Sequence, residues 1–294
     1  MNIRLSEYAG ACYGVERALA LVEDAARGDV PVYTLGPLIH NPGVVAELEA
    51  HGVKVVDKVN EVDEGVLVIR SHGVAPLVID EACARGLAIV DATCPHVLKA
   101  QRAARSLREA GCTVVVVGES GHPEVEGISA HAGTDVLVVQ TPDDLPKNLG
   151  SANPDQRIGV VVQTTQSPDT LEAIVNELHA RNLSYEVRDT ICSATRQRQQ
   201  SAQRLAQEVD VMLVVGGFNS GNTTRLYEIC KAVCLNTHHI ESPSDLNPAW
   251  FASAADDFVV GVTAGASTPQ EQIASIVEAL KTSGTTTAAA AKGA

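Results

Sequence analysis

An internal recurrence constrains this chain more than any other feature. Cys12, Cys94 and Cys192 each stand 28 residues before a polar residue in a glycine-led turn, namely His40, His122 and Ser220. Those turns read LGPLIHN (Leu35–Asn41), VGESGHPE (Val117–Glu124) and VGGFNSGN (Val215–Asn222). Each cysteine follows a strand-like stretch and opens a helix-like one: IRLSEYAGAC, LAIVDATC and YEVRDTIC. A second polar turn follows a later strand in each case, with IRSHG at His72, VVQTTQ at Thr164 and VTAGAS at Ser267. Ordered self-similarity of this kind is the signature of a repeated structural unit. We read three α/β units of about 95 residues related by a pseudo-threefold axis: 1–95, 96–193 and 194–283.

Hydropathy patterning gives the units their class. Pro31–Leu35, Val66–Ile69, Thr113–Val117, Ile158–Val162, Val211–Val215 and Phe258–Val262 are continuous apolar, β-branched runs, as strands buried on both faces require. Between them lie helix-like segments: Gly14–Arg27, Pro42–His51, Pro168–Arg181, Asn222–Cys234 and Pro269–Lys281. In the first of these Val15, Ala18, Leu19, Val22 and Ala26 form one apolar face. Alternation of this sort predicts α/β architecture with mainly parallel sheets. Pro146–Arg157 reads as a surface loop, and the tail GTTTAAAAKGA (284–294) as low-complexity and disordered.

Composition removes several function classes. The formal charge of −14 and the scarcity of aromatic residues (3%) disfavour a nucleic-acid partner, which needs basic surface and stacking platforms. No apolar run approaches the roughly 18 residues of a membrane span, and the N-terminal stretch has no apolar signal core. The expected location is cytoplasmic. Seven cysteines, an odd number, do not describe a disulfide framework.

In parallel α/β units ligands lie beyond the carboxyl ends of the strands. The polar turns and the three cysteines all fall there, which predicts a central cavity. Three thiolates from three units suit an iron–sulfur cluster with one iron not held by protein; zinc with an open fourth position is the alternative. Cys83, Cys112, Cys230 and Cys234 lack the register, and Cys230 and Cys234, which share a helix face, read as core residues. His40, His72 and His122, with the hydroxyls of Thr164, Ser220 and Ser267 and the amide of Asn222, make a cradle for phosphate or diphosphate. The remaining histidines, His238 and His239 among them, read as ordinary core or surface residues. No P-loop is present in the sequence. Glu124 opens a helix, where an acid complements the dipole; beside a bound anion it also suits proton delivery.

Nine stretches together resemble the 4-hydroxy-3-methylbut-2-enyl diphosphate reductase (IspH/LytB) family. They are GACYGVERA (Gly10–Ala18), GPLIHNPGVV (Gly36–Val45), IRSHGV (Ile69–Val74), DATCPHVLK (Asp91–Lys99), GHPEVEG (Gly121–Gly127), QTTQS (Gln163–Ser167), DTICSAT (Asp189–Thr195), NSGNTTRL (Asn219–Leu226) and TAGAST (Thr263–Thr268). The resemblance implies a trefoil of three α/β domains around a [4Fe–4S] cluster on Cys12, Cys94 and Cys192. It implies a substrate diphosphate held by His40, His72, His122, Thr164, Ser220, Gly221, Asn222 and Ser267, with Glu124 delivering protons. The implied reaction removes an allylic hydroxyl with two electrons and two protons, giving isopentenyl and dimethylallyl diphosphates. A ferredoxin or flavodoxin is the implied electron donor.

Two positions depart from the family pattern. Ala11 stands where Phe is frequent, a change of packing. Gly221 stands where many members have serine, which leaves only a backbone N–H to contact substrate there. The rival enzyme is another three-cysteine cluster lyase, such as one resembling quinolinate synthase. A cluster-based sensor or electron carrier and a zinc hydrolase are the other readings.

Overall fold

The computed structural model describes residues 1–150, 157–251 and 258–290. Twelve strands form three four-stranded sheets, and every pairing within them is parallel. The strands are β1 (Asn2–Leu5), β2 (Val32–Leu35), β3 (Lys54–Val56), β4 (Val66–Ile69), β5 (Ala88–Asp91), β6 (Thr113–Val117), β7 (Leu137–Val139), β8 (Ile158–Val162), β9 (Tyr185–Arg188), β10 (Val211–Val215), β11 (Thr237–Ile240) and β12 (Val259–Ala264). The helices are α1 (Tyr13–Ala26), α2 (Pro42–Ala50), α3 (Pro76–Ala84), α4 (Pro95–Glu109), α5 (Pro123–Ala132), α6 (Pro168–Ala180), α7 (Ser193–Ala206), α8 (Gly221–Val233) and α9 (Gln270–Ala290).

The chain divides into two compact units. One comprises Met1–Cys12, His40–Pro42 and Ser193–Ala294; the other comprises Tyr13–Ile39 and Gly43–Cys192. The first contains one sheet, ordered β11-β10-β12-β1. Val211, Leu213 and Val215 point to one side, against Ile273, Ile276 and Leu280 of α9. Met212 and Val214 point to the other, against Ala202 and Leu205 of α7 and Leu226 of α8. Each such fully buried side chain contributes about 1.5–3 kcal/mol, which is why the strand reads as an unbroken apolar run.

The other unit contains two sheets, ordered β3-β2-β4-β5 and β7-β6-β8-β9. In β6, Val115 and Val117 pack on Ile174 and Leu178 of α6. Val114 and Val116 pack on Ala100, Ala104 and Leu107 of α4 and Ile128 of α5. All three sheets share one order: a short edge strand, the strand before the glycine-led turn, the strand before the second turn, and the strand that runs into a cysteine.

Two expectations differ from the structure. The boundary after residue 95 assigns β1 to the first unit, yet β1 pairs with β12, Asn2 opposite Val259. The physical reason is edge occupancy. β5 already takes the free side of β4, whereas β12 has that side open. The stretch 284–294, expected as a disordered tail, is helix as far as Ala290, where α9 ends. Residues 291–294 lie outside the described residues, as do 151–156 of the expected Pro146–Arg157 loop, whose opening Pro146–Gly150 is a turn.

Candidate functional site

Each cysteine occupies the same seat. The Cys12 N–H donates to the Ala266 carbonyl at 3.1 Å, Cys94 to Ser71 at 2.9 Å, and Cys192 to Thr164 at 3.1 Å. Ala266, Ser71 and Thr164 are each the second residue beyond β12, β4 and β8. An edge strand thus hands its cysteine to the second turn of its own sheet, three times over. None of the three is in a disulfide, and all are partly accessible. Cys112, Cys230 and Cys234 are buried. Burial pushes the Cys230 thiol up to about 12, with Cys234 adding to the effect, as suits a thiol packed in the core.

Two arginines fix the approaches to these seats. Arg198 of α7, 4% exposed, donates to the Gly10 carbonyl at 2.7 Å, two residues before Cys12. Arg17 of α1 donates to the Thr93 carbonyl at 3.2 Å, next to Cys94. Neither was singled out by sequence reasoning; an arginine on a helix that follows a cysteine carries no distinctive local signal.

Within the two-sheet unit, contacts link the candidate residues in series. Ser71, which receives Cys94, precedes His72. The rings of His72 and His122 meet edge to face, 5.5 Å between centroids. His122 caps α5: its Nδ1 accepts the Glu124 N–H at 3.1 Å. That contact fixes the tautomer, so neutral His122 carries its proton on Nε2 as a donor. Glu124 is 2% exposed, and the Thr164 N–H donates to one carboxyl oxygen at 2.6 Å. The Thr164 hydroxyl donates to the other at 3.0 Å. Thr164 in turn receives Cys192.

Glu124 has a perturbed acidity. Burial pushes its carboxyl up to about 7; the two Thr164 hydrogen bonds oppose this, and the Glu119 charge adds to it. A carboxyl poised near neutrality both holds and releases a proton, which a group serving only the helix dipole does not need. Gln163 secures the adjoining turn by accepting the Glu119 N–H at 2.9 Å. A Cβ at Gly118 would lie 2.8 Å from the Gln163 oxygen and 2.6 Å from Val125, so the turn admits only glycine.

The one-sheet unit holds the other candidates. The Ser267 hydroxyl donates to the His40 carbonyl at 3.0 Å. A Cβ at Gly217 would lie 3.1 Å from that same carbonyl, so the turns carrying His40 and Ser220 touch. Ser220 caps α8 through its hydroxyl, which accepts the Thr223 N–H. Gly221 is the first residue of that helix, and its missing side chain leaves backbone alone at the helix entrance. The Asn222 carboxamide nitrogen is buried with no hydrogen-bond partner. Two orphaned N–H bonds beside a helix N-terminus suit an anion acceptor. His239, read from sequence as an ordinary histidine, braces this turn through a 2.8 Å contact between Nε2 and the Gly216 carbonyl.

Parallel α/β sheets that each seat a cysteine beyond their strand ends, with a buried carboxyl near neutrality in the two-sheet unit, define a class: an α/β protein with candidate metal-ligating and proton-handling residues at the carboxyl ends of its strands. The soft thiolate set fits an iron–sulfur cluster. The chain belongs to the LytB protein family, whose model matches residues 3–281. It is 49% identical over 270 residues to a 4-hydroxy-3-methylbut-2-enyl diphosphate reductase of Pelobacter propionicus, covering 92% of this chain and 94% of that one. With the enzyme of the same name from Geobacter metallireducens it shares 45% over 284 residues, 96% and 97% of the two chains. Among solved structures it resembles an (E)-4-hydroxy-3-methyl-but-2-enyl diphosphate reductase, the terminal enzyme of the non-mevalonate pathway. The TM-score is 0.69 at 41% identity, over 95% of this chain and 99% of that one. The corresponding reductase from Plasmodium falciparum gives a TM-score of 0.86 at 25% identity, over 94% and 87%.

Proposed function

We propose that this chain is an iron–sulfur oxidoreductase that converts 4-hydroxy-3-methylbut-2-enyl diphosphate to isopentenyl and dimethylallyl diphosphates, the last step of the non-mevalonate route. The observation that carries the reading is the identical seating of Cys12, Cys94 and Cys192, joined at Cys192 to the Glu124–Thr164 pair. Cys12, Cys94 and Cys192 are the ligands of one [4Fe–4S] cluster per chain. Such a cluster supplies single electrons and a Lewis-acidic iron that weakens a C–O bond.

The chain's own residues do the rest. His40, His72, His122, Thr164, Ser220, Gly221, Asn222 and Ser267 hold the diphosphate, through Nε2–H, hydroxyl, amide and helix N-terminal donors. That anchor converts a bimolecular encounter into a fixed geometry at the allylic carbon. Glu124 gives the proton that lets the hydroxyl leave as water, and the Thr164 hydroxyl, hydrogen-bonded to it, is the next group in the relay. Atoms and charge balance: one allylic alcohol, two electrons and two protons give one alkene and one water.

A ferredoxin or flavodoxin delivers the electrons, and the enzyme works in the cytoplasm. No helix among the described residues is long and apolar enough to cross a membrane. The test is anaerobic turnover of the hydroxylated diphosphate with a low-potential reductant. Two electrons consumed per product support the reading. Turnover without any reductant points instead to a cluster lyase.

A further inference from the structure

Three turns of the one-sheet unit carry His40, Ser220 and Ser267, and their side chains must keep register to grip one anion. Between the turns runs a series of side chains that the proposed chemistry does not use. The Asn41 carboxamide nitrogen donates to the Ser267 carbonyl at 2.9 Å and to the Gln272 side-chain oxygen at 3.0 Å. The Gln272 nitrogen donates to the Glu241 carbonyl at 2.5 Å. The Glu241 carboxylate accepts the Phe218 N–H, inside the turn that leads to Ser220.

Both ends of the amide pair rest on main-chain carbonyls, which only accept. Asn41 must therefore present nitrogen to Ser267, and Gln272 must present nitrogen to Glu241. The remaining contact between them then fits only as donor to acceptor, so the orientation of each amide is fixed by its partners. Asn41 is 4% exposed, which keeps water from competing for these bonds. Each turn is thereby tied to a neighbour: 267 to 41, 41 to 272, 272 to 241, and 241 to 218.

We propose that Gln272 is a positioning residue that, with Asn41 and Glu241, locks the His40, Ser220 and Ser267 turns into the spacing of one diphosphate. It touches no reacting atom; it sets the distance between the groups that do. The proposal rests on the diphosphate reading above. A lock of this kind acts on anion affinity and leaves the proton and electron steps alone.

The test compares the anaerobically isolated parent with Gln272→Leu, using inorganic diphosphate as the calorimetric probe and steady-state turnover with the full substrate. Losing two hydrogen bonds should weaken diphosphate about 5- to 30-fold. KM should rise by a similar factor while kcat stays within about threefold. Gln272→Glu keeps the size and the acceptor for Asn41 but sets a carboxylate against the Glu241 carbonyl, and should show the same direction of change. It carries the test if the leucine variant does not fold. In a double-mutant cycle with Asn41→Leu, the pair should cost little more than either single change, because both cut the same series. Unchanged diphosphate affinity in a folded Gln272 variant, or a fall in kcat with KM intact, overturns the lock alone. A parent that binds no diphosphate overturns the anion reading and the lock with it.

Discussion

Glu124 holds Thr164 by both of its carboxyl oxygens, one on the backbone N–H at 2.6 Å and one on the hydroxyl at 3.0 Å. The same threonine's carbonyl accepts the N–H of Cys192. The buried carboxyl and the thiol seat are therefore neighbours through a single residue. Glu124→Gln keeps the shape and removes the acid. Turnover should fall about 10²- to 10⁴-fold, the usual contribution of a positioned general acid. Iron content and diphosphate affinity should be retained. Turnover within about threefold of the parent would leave only the helix-dipole role.

Acidity gives a second outcome. A free glutamate loses its proton near 4.5, whereas folded Glu124 keeps it to about 7. Between those values the native state binds the proton that the unfolded chain has released. Stability attributable to this group therefore falls as pH rises through the window, by about 3 kcal/mol in all. Thermal melts at pH 5 and pH 8 should show a larger drop in the parent than in Glu124→Gln. An identical drop in both proteins would place the carboxyl's titration elsewhere.

Seating predicts which thiols matter. Serine at Cys12, Cys94 or Cys192 should abolish turnover and lower bound iron. Serine at Cys83, which is exposed, or at Cys112, Cys230 or Cys234, which are buried, should leave the iron in place. Iron analysis and visible absorption read the result. Full iron and activity in Cys94→Ser would contradict the ligand assignment.

His122 caps α5 and, in the proposed function, also donates to the diphosphate, two tasks that substitution can separate. Removing either His40 or His122 should weaken diphosphate by about 1.5–3 kcal/mol, or roughly 10- to 150-fold. His122→Ala also uncaps α5, costing about 0.5–2 kcal/mol of stability. His122→Asn, a good cap without the imidazole Nε2 donor, should recover the stability and not the affinity. Calorimetry and melting curves of the two variants distinguish the tasks.

Glycine at the strand ends answers to close packing. At Gly216, where φ is +146°, a Cβ would lie 2.8 Å from the hydroxyls of Thr223 and Thr268. Gly216→Ala should cost about 1–3 kcal/mol and disturb the Ser220 turn, seen as a lower melting temperature together with weaker diphosphate binding.

Much of this was legible in the chain because burial on both faces leaves a plain mark. Val66–Ile69, Thr113–Val117, Ile158–Val162 and Val211–Val215 are strands with the bounds that the apolar runs suggest. The cysteine-to-turn spacing likewise identified the residues that now stand at strand ends. What was not legible is non-local. Nothing in Asn2–Leu5 says that its partner is β12, because pairing depends on which edge another strand has left open. Gln272 and Glu241 gave no signal, since an amide on a helix and an acid after a strand become meaningful only when the fold brings their turns together. Asn41 was visible beside His40, but its role was not.

The pairing of β1 with β12 also sets an order of assembly. During synthesis the carbonyls of Ser71 and Thr164 emerge before Cys94 and Cys192, so those two seats await their cysteines only briefly. Cys12 emerges long before the residue whose carbonyl receives it, Ala266. The seat of Cys12 is therefore closed by a contact across most of the sequence, and its formation carries a larger loop-closure cost than the local closures that seat Cys94 and Cys192.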